Sequence, residues 1–163
     1  MSGTVTAPVA PVVFVPVGVV AFAGSRSGSP FGVPAAVAAV VELDLPVAVG
    51  CQRGVDSVVR AGVPRTSLAV FRASAPQWSA LPVPARFAAR TRACVSSASC
   101  LLAFAPESGV LGVGTALAVS VALERGLPVF VASSVCPVGS GWVAASFSGV
   151  SGWAFLPSQT ALF

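Results

Sequence analysis

Apolar residues in this chain gather into short runs without polar alternation: Val12–Ala23, Val47–Val49, Leu68–Phe71, Leu101–Ala105 and Val129–Ala132. Such runs, at strand length, mark strands buried on both faces. Between them lie helical stretches, Pro34–Glu42, Asp56–Ala61, Ala85–Ser99 and Thr115–Arg125, the last stopped by Gly126 with Pro128 just beyond. This alternation predicts an α/β, Rossmann-like three-layer domain, a mostly parallel sheet of about five strands covered on both faces by helices and joined by right-handed crossovers. Trp142–Phe147 and Gly152–Leu156 add a hairpin or edge strands. The pattern predicts one domain over 1–163, with a loose N-terminal arm over 1–11, a mobile or lid-like loop over Ala73–Pro84 and an apolar extension over 134–163.

Three of the strands are followed by glycine turns. They are Gly24-Ser25-Arg26, then Gly50-Cys51-Gln52-Arg53-Gly54-Val55-Asp56, and finally the stretch carrying Gly109, Gly112, Gly114 and Thr115. A glycine turn that opens a helix brings bare backbone N–H groups to a helix N-terminus, where an anion can be held. In parallel sheets, ligands bind outside the carboxyl ends of the strands. The three turns therefore predict one shared pocket.

Composition narrows the chemistry. The 163 residues are 55% hydrophobic and 9% charged, with a mean hydropathy of +0.91, which is too apolar for a disordered chain. Pro8, Pro11 and Pro16 interrupt the first apolar segment, and Pro128, Pro137 and Pro157 the last, so no membrane span is expected. Met1-Ser2-Gly3-Thr4 lacks the basic opening of a secretory signal, so a cytoplasmic location is expected. With no histidine there is no Ser–His or Cys–His dyad and no imidazole ligand. Cys51, Cys94, Cys100 and Cys136 form no C-x-x-C pair, and they are expected to be buried thiols in a reducing compartment, with a disulfide as the alternative. No metal or cofactor is expected. The charge of +4 rests on nine arginines against five acids, which suits a small anionic ligand better than a long polyanion. The apolar surface implied by the hydropathy points to a homo-oligomer, with Trp142–Phe163 as its interface.

The order of Gly24-Ser25-Arg26, Gly50 to Asp56, an arginine-bearing helix, and Ala103-Phe104-Ala105-Pro106 followed by Gly112-Val113-Gly114-Thr115 resembles the SLOG superfamily over about Val17 to Ala132. That superfamily unites the Lonely Guy phosphoribohydrolases with the DNA-processing protein A family and with nucleotide sensors of bacterial conflict systems. The resemblance implies a Rossmann-like domain that binds a nucleotide or nucleotide-derived ligand. Gly112, Gly114 and Thr115 would hold phosphate, Gly24, Ser25 and Arg26 would border the same crevice, and Asp56 matches the Gly-Val/Ile-Asp position of the DNA-processing-like members. The Lonely Guy signature Pro-Gly-Gly-x-Gly-Thr-x-x-Glu is altered here. Val110 and Leu111 replace its first two residues and Ala118 its catalytic glutamate, so the resemblance implies binding rather than phosphoribohydrolase activity.

The residues leave alternatives open. Arg26 is a phosphate ligand or an exposed loop arginine. Arg86 and Arg90, at i and i+4, reach an anion across the pocket or form a solvated face, and Arg92 points elsewhere. Asp56 accepts from a ribose hydroxyl, fixes Arg26, or simply suits the first turn of its helix. Glu107 is a surface glutamate or a substitute acid, and Cys51 packs or forms an exposed thiol of lowered pKa. The expected site is thus Gly24, Ser25, Arg26, Gly50, Gly54, Asp56, Arg86, Arg90, Gly112, Gly114 and Thr115, with no catalytic residue assigned. The expected function is binding of a nucleotide-type small molecule as a sensor, sequestering protein or regulatory module. The alternatives are a nucleotide N-glycosidase using Glu107 or Asp56, and single-stranded DNA binding of the DNA-processing type, with Phe71, Trp78 and Phe87 near the arginines.

Overall fold

A computed structural model of the chain describes residues 10–26 and 30–157. Most of the expected N-terminal arm lies outside them, as do the last residues of the extension. Eight strands form one sheet: β1 (Val12–Val13), β2 (Val20–Gly24), β3 (Val47–Val49), β4 (Leu68–Val70), β5 (Cys100–Phe104), β6 (Val129–Ala132), β7 (Trp142–Phe147) and β8 (Val150–Phe155). Four helices accompany them: α1 (Val33–Glu42), α2 (Val55–Gly62), α3 (Val83–Ser96) and α4 (Val113–Glu124). The spatial order is β1-β7-β8-β6-β5-β2-β3-β4. Strand β8 pairs antiparallel with β6 and β7, whereas every other pairing is parallel.

Side-chain alternation along the central strands separates two cores. Val20, Phe22, Leu102 and Phe104 face one way, with Val33, Val37, Val40, Val55 and Val59 of α1 and α2. Ala21, Leu101 and Ala103 face the other way, with Val95 of α3 and Ala118, Val119 and Ala122 of α4. Residues i and i+2 line one face of a strand, so a strand apolar at every position needs helices on both sides. The expected α/β three-layer architecture is the one observed.

One expectation is corrected. Val12–Ala23 is two strands rather than one, because buried Pro16 has no N–H to offer a ladder and Gly18 turns the chain at φ +60°. Strand β1 then pairs with β7 at the far side of the sheet, Val12 opposite Ala145, and it carries Phe14 into the core. The expected C-terminal hairpin is present as β7 and β8 and adds to the sheet at β6, with Val129 opposite Phe155 and Trp142 opposite Phe155. Trp142 and Phe155 stack edge to face at 5.7 Å and pack against the α4 core, so much of the apolar surface assigned to an oligomer interface is covered within the chain.

Candidate functional site

The parallel strands run β2, β3, β4 toward one side of the sheet, and α3 then returns the chain to place β5 on the other side of β2. The strand order reverses between β2 and β5. Loops leaving their carboxyl ends diverge there, which opens a crevice. A cavity of about 560 Å³ occupies it, within the range of small-molecule sites.

Each glycine turn contributes a wall. Gly24, Ser25 and Arg26 follow β2, Gly50, Gln52 and Asp56 follow β3, and Gly112, Gly114 and Thr115 follow β5. Helix α3 supplies Arg90, Thr91, Cys94 and Val95, and Ala118 of α4 closes the floor. The convergence expected from sequence is present, with Arg26, Asp56 and Thr115 lining one cavity. Two expected residues do not line it. The guanidinium of Arg86 donates through Nε to the Leu81 carbonyl at 2.8 Å and through Nη2 to Ser79 at 3.0 Å, so it pins the preceding loop. Gly54 instead brings the first two turns together: the Val55 N–H donates to the Ser25 carbonyl at 3.1 Å, and a Cβ at Gly54, whose φ is +76°, would overlap that carbonyl oxygen. Arg92 and Glu107 are exposed and lie outside the lining, which leaves Asp56 as the crevice carboxylate of the two considered for acid–base work.

Gly112 caps α4 without any side-chain hydrogen bond to the helix. The first N–H groups of a helix have no intrahelical acceptor, so those of Val113, Gly114 and Thr115 carry the positive end of the dipole to the crevice. A Cβ at Gly112 or Gly114 would meet nothing within 4 Å. These two glycines therefore leave open space over the helix terminus, a fitting seat for a phosphate.

Arg90 is buried at 6% exposure, and its Nε has no hydrogen-bond partner. Its Nη1 donates to Cys51 Sγ at 3.6 Å and its Nη2 to Thr91 Oγ1 at 3.3 Å, so a five-donor fork is mostly unspent. A buried donor left unmet costs about 1–3 kcal/mol, and the Nε, shut off from solvent, is such a donor. The Phe87 ring holds two guanidiniums, with Arg26 Cζ at 5.4 Å and Arg90 Cζ at 5.5 Å from its centroid. Phe87 and Arg90 share a face of α3 at i and i+3. Sequence reasoning noted the ring only as one aromatic near the arginines.

Asp56 faces this cluster. A Cβ at Gly50 would lie 2.6 Å from Asp56 Oδ2 and 3.2 Å from Arg90 Cζ, so the bare Gly50 backbone makes room for acid and base side by side. Burial raises the Asp56 pKa above the usual aspartate value, and the Gln52 N–H, Arg90, Arg60 and Arg26 oppose that rise without cancelling it. The Gln52 N–H donates to Oδ2 at 3.2 Å, and Arg60 Nη1 donates to the Gly50 carbonyl at 2.9 Å. Burial also resists ionisation of Cys51, but the Ala73 backbone and Arg90 favour its thiolate and bring the pKa below the ordinary thiol value. Burial pushes Cys94 up to about 12. All four cysteines are free and Cys136 is exposed, contrary to the expectation of buried thiols throughout. Gln52, Thr91 and Cys94 were not anticipated as lining residues, and for Cys94 the signal was its i+4 spacing from Arg90.

The architecture has a structural counterpart in DNA processing protein A from Helicobacter pylori, described for its single-stranded DNA binding mode. The likeness is one of fold. The TM-score is 0.59 at 14% identity, covering 82% of this chain and 70% of that one. No protein-family model and no curated protein matches the sequence. Among the described residues, no group of three or more His, Cys, Asp or Glu side chains could hold a metal ion, and no helix is long and apolar enough to cross a membrane.

Proposed function

We propose that the crevice holds one nucleotide unit of single-stranded DNA, its phosphate over the N-terminus of α4 and against Arg26 and Arg90. The observation that carries the reading is a cavity enclosed by three strand-end turns and lined by Arg26 and by Arg90, a buried guanidinium with few of its donors engaged. Anionic oxygen is the acceptor that suits it, because charge-assisted bonds to guanidinium are roughly twice as strong as neutral ones. The fold likeness to a protein that binds single-stranded DNA favours a strand over a free ligand, and the resemblance to the SLOG superfamily agrees with both. The residues 1–163 act as one binding unit in this reading.

Fluorescence anisotropy with a labelled oligo-dT 20-mer tests it. The chain binds the oligomer. Arg26→Ala weakens binding by about 10- to 100-fold, as expected for a charged hydrogen bond of about 1.5–3 kcal/mol. Arg92→Ala, an exposed change away from the crevice, leaves binding intact. An oligomer that does not bind, or binds equally well without Arg26, overturns the proposal. A second reading, a free nucleotide held for sensing or sequestration, is favoured by the cavity volume of about 560 Å³. Thermal-shift titration against nucleoside mono-, di- and triphosphates checks it, since a ligand at a hundredfold its Kd adds about 2.7 kcal/mol of stability.

A further inference from the structure

We infer that a single strand seated in the crevice continues outward across the ends of β3 and β4, with phosphates on Arg53 and Arg72 and a base stacked on Trp78. The inference rests on the strand-binding reading above and concerns residues outside the crevice lining.

The charge at the carboxyl edge of the sheet is one-sided. Arg26 follows β2, Arg53 follows β3 and Arg72 follows β4, so three adjacent parallel strands each end in an arginine. On the other side of the crevice neither the loop leaving β5 (105–112) nor the one leaving β6 (133–141) carries an arginine, and Glu107 is exposed there. Glu42, Asp44 and Glu124 lie at the opposite, amino edge, where α1 and α4 end. A polyanion leaving the crevice therefore meets cations in one direction and a carboxylate in the other. Arg53 and Arg72 are exposed, and among the described residues neither side chain makes a hydrogen bond or ring contact. Two strand spacings cover roughly 10 Å, the reach of about three stacked nucleotides at 3.4 Å each.

The loop beyond Arg72 offers an aromatic platform. Ala75 N–H donates to the Arg72 carbonyl at 3.2 Å, and Trp78 N–H to Ala75 at 3.0 Å, forming two consecutive turns. Trp78 is half-buried at the end of the second turn. Arg86 clamps the far side of this loop through Ser79 and Leu81, which restrains the platform. Cationic side chains beside a stacking aromatic are the general means of gripping a single strand without reading its sequence.

The test is anisotropy with labelled oligo-dT of 4, 8 and 16 nucleotides over a salt series, alongside competition by dTMP. Affinity rises from the shortest oligomer to the longer ones. Arg53→Ala and Arg72→Ala each flatten the slope of log K against log salt by about 0.7 and leave dTMP competition unchanged. Arg125→Ala, at the amino edge, changes neither. Trp78→Ala weakens the longer oligomers by roughly 5- to 150-fold and Trp78→Phe restores most of it. If length adds nothing, or neither arginine variant alters the slope while dTMP still competes, the path is wrong and the crevice reading survives. Binding of duplex as tightly as single strand also overturns the path. If neither dTMP nor any oligomer binds, the failure belongs to the crevice reading itself, and the inference falls with it.

Discussion

Gly114→Ala separates the fold from the function at a single atom. Gly114 is the second residue of α4, and alanine there gains helix propensity worth up to about 1 kcal/mol, less in the first turn than in the interior. The added Cβ meets no protein atom within 4 Å, so no strain offsets the gain. For a domain of this size each kcal/mol moves Tm by about 2–4 °C, and thermal denaturation should show a rise of about 1–3 °C. Gly114 lines the crevice, so in the proposed reading the same methyl takes up room at the phosphate site. Anion contacts at such termini contribute about 0.3–2 kcal/mol, and losing one weakens oligo-dT binding by roughly 2- to 30-fold. A variant that is stabler yet binds less tightly would have no explanation in general damage. An unchanged affinity refutes the placement of phosphate at α4, and a lowered Tm refutes the account of Gly114 as a residue kept for space rather than for conformation.

Other substitutions probe other walls. Asp56→Asn should raise Tm at pH 7. The folded pKa of Asp56 lies above the unfolded one, so the native state loses stability as pH climbs from the ordinary aspartate range through that raised value, and the gain from the neutral isostere should vanish below the ordinary range. A pH series of thermal melts checks both limbs. Gly54→Ala should lower Tm by several degrees, since a positive φ costs a non-glycine residue about 1–3 kcal/mol and the Cβ overlaps the Ser25 carbonyl oxygen. Oligonucleotide affinity should fall with it, because Ser25 and Arg26 must shift. Peptide-resolved iodoacetamide labelling should modify Cys51 well before Cys94, whose pKa is about 12. Equal rates would show that Arg90 does not favour the Cys51 thiolate.

The central sheet was legible because its information is local. Val47–Val49 and Val129–Ala132 are apolar at every position and end in turns, and both strands fall on those residues. The glycine turns marked the crevice for the same reason. What escaped depends on distant partners. Nothing near Val12 and Val13 announces that they pair with Ala145 and Ser146, and the hairpin residues give no sign that β8 docks on β6 rather than on β4 at the other edge of the parallel strands. Arg86 and Arg90 were indistinguishable by spacing. A long side chain takes the nearest unpaired carbonyls, and the loop folds Ser79 and Leu81 under Arg86, whereas Arg90, one turn deeper, is enclosed with Cys51, Asp56 and Phe87. Helix α3 begins at Val83 rather than Ala85 because Pro84 is tolerated in a first turn, where the missing N–H has no acceptor in any case.

An acid in a crevice suited to anions needs a reason, and the surroundings of Arg90 supply one. A buried guanidinium alone would bear a large desolvation cost. Asp56 lies beside Arg90 over the bare Gly50 backbone and its charge partly offsets that of Arg90, while Phe87 and Thr91 fix the fork without using its Nε. Arg90 is therefore held in place before any ligand arrives, and the ordering of a flexible side chain is not charged against binding. Arg26 is exposed and steadied mainly by the same ring, so it retains freedom to close on the ligand. Ala118 completes the contrast, since a carboxylate at this lining position would add like charge to the proposed anion site, and the methyl adds none. The crevice thus combines a rigid inner cation with a movable outer one, the pair on which the proposed anion binding depends.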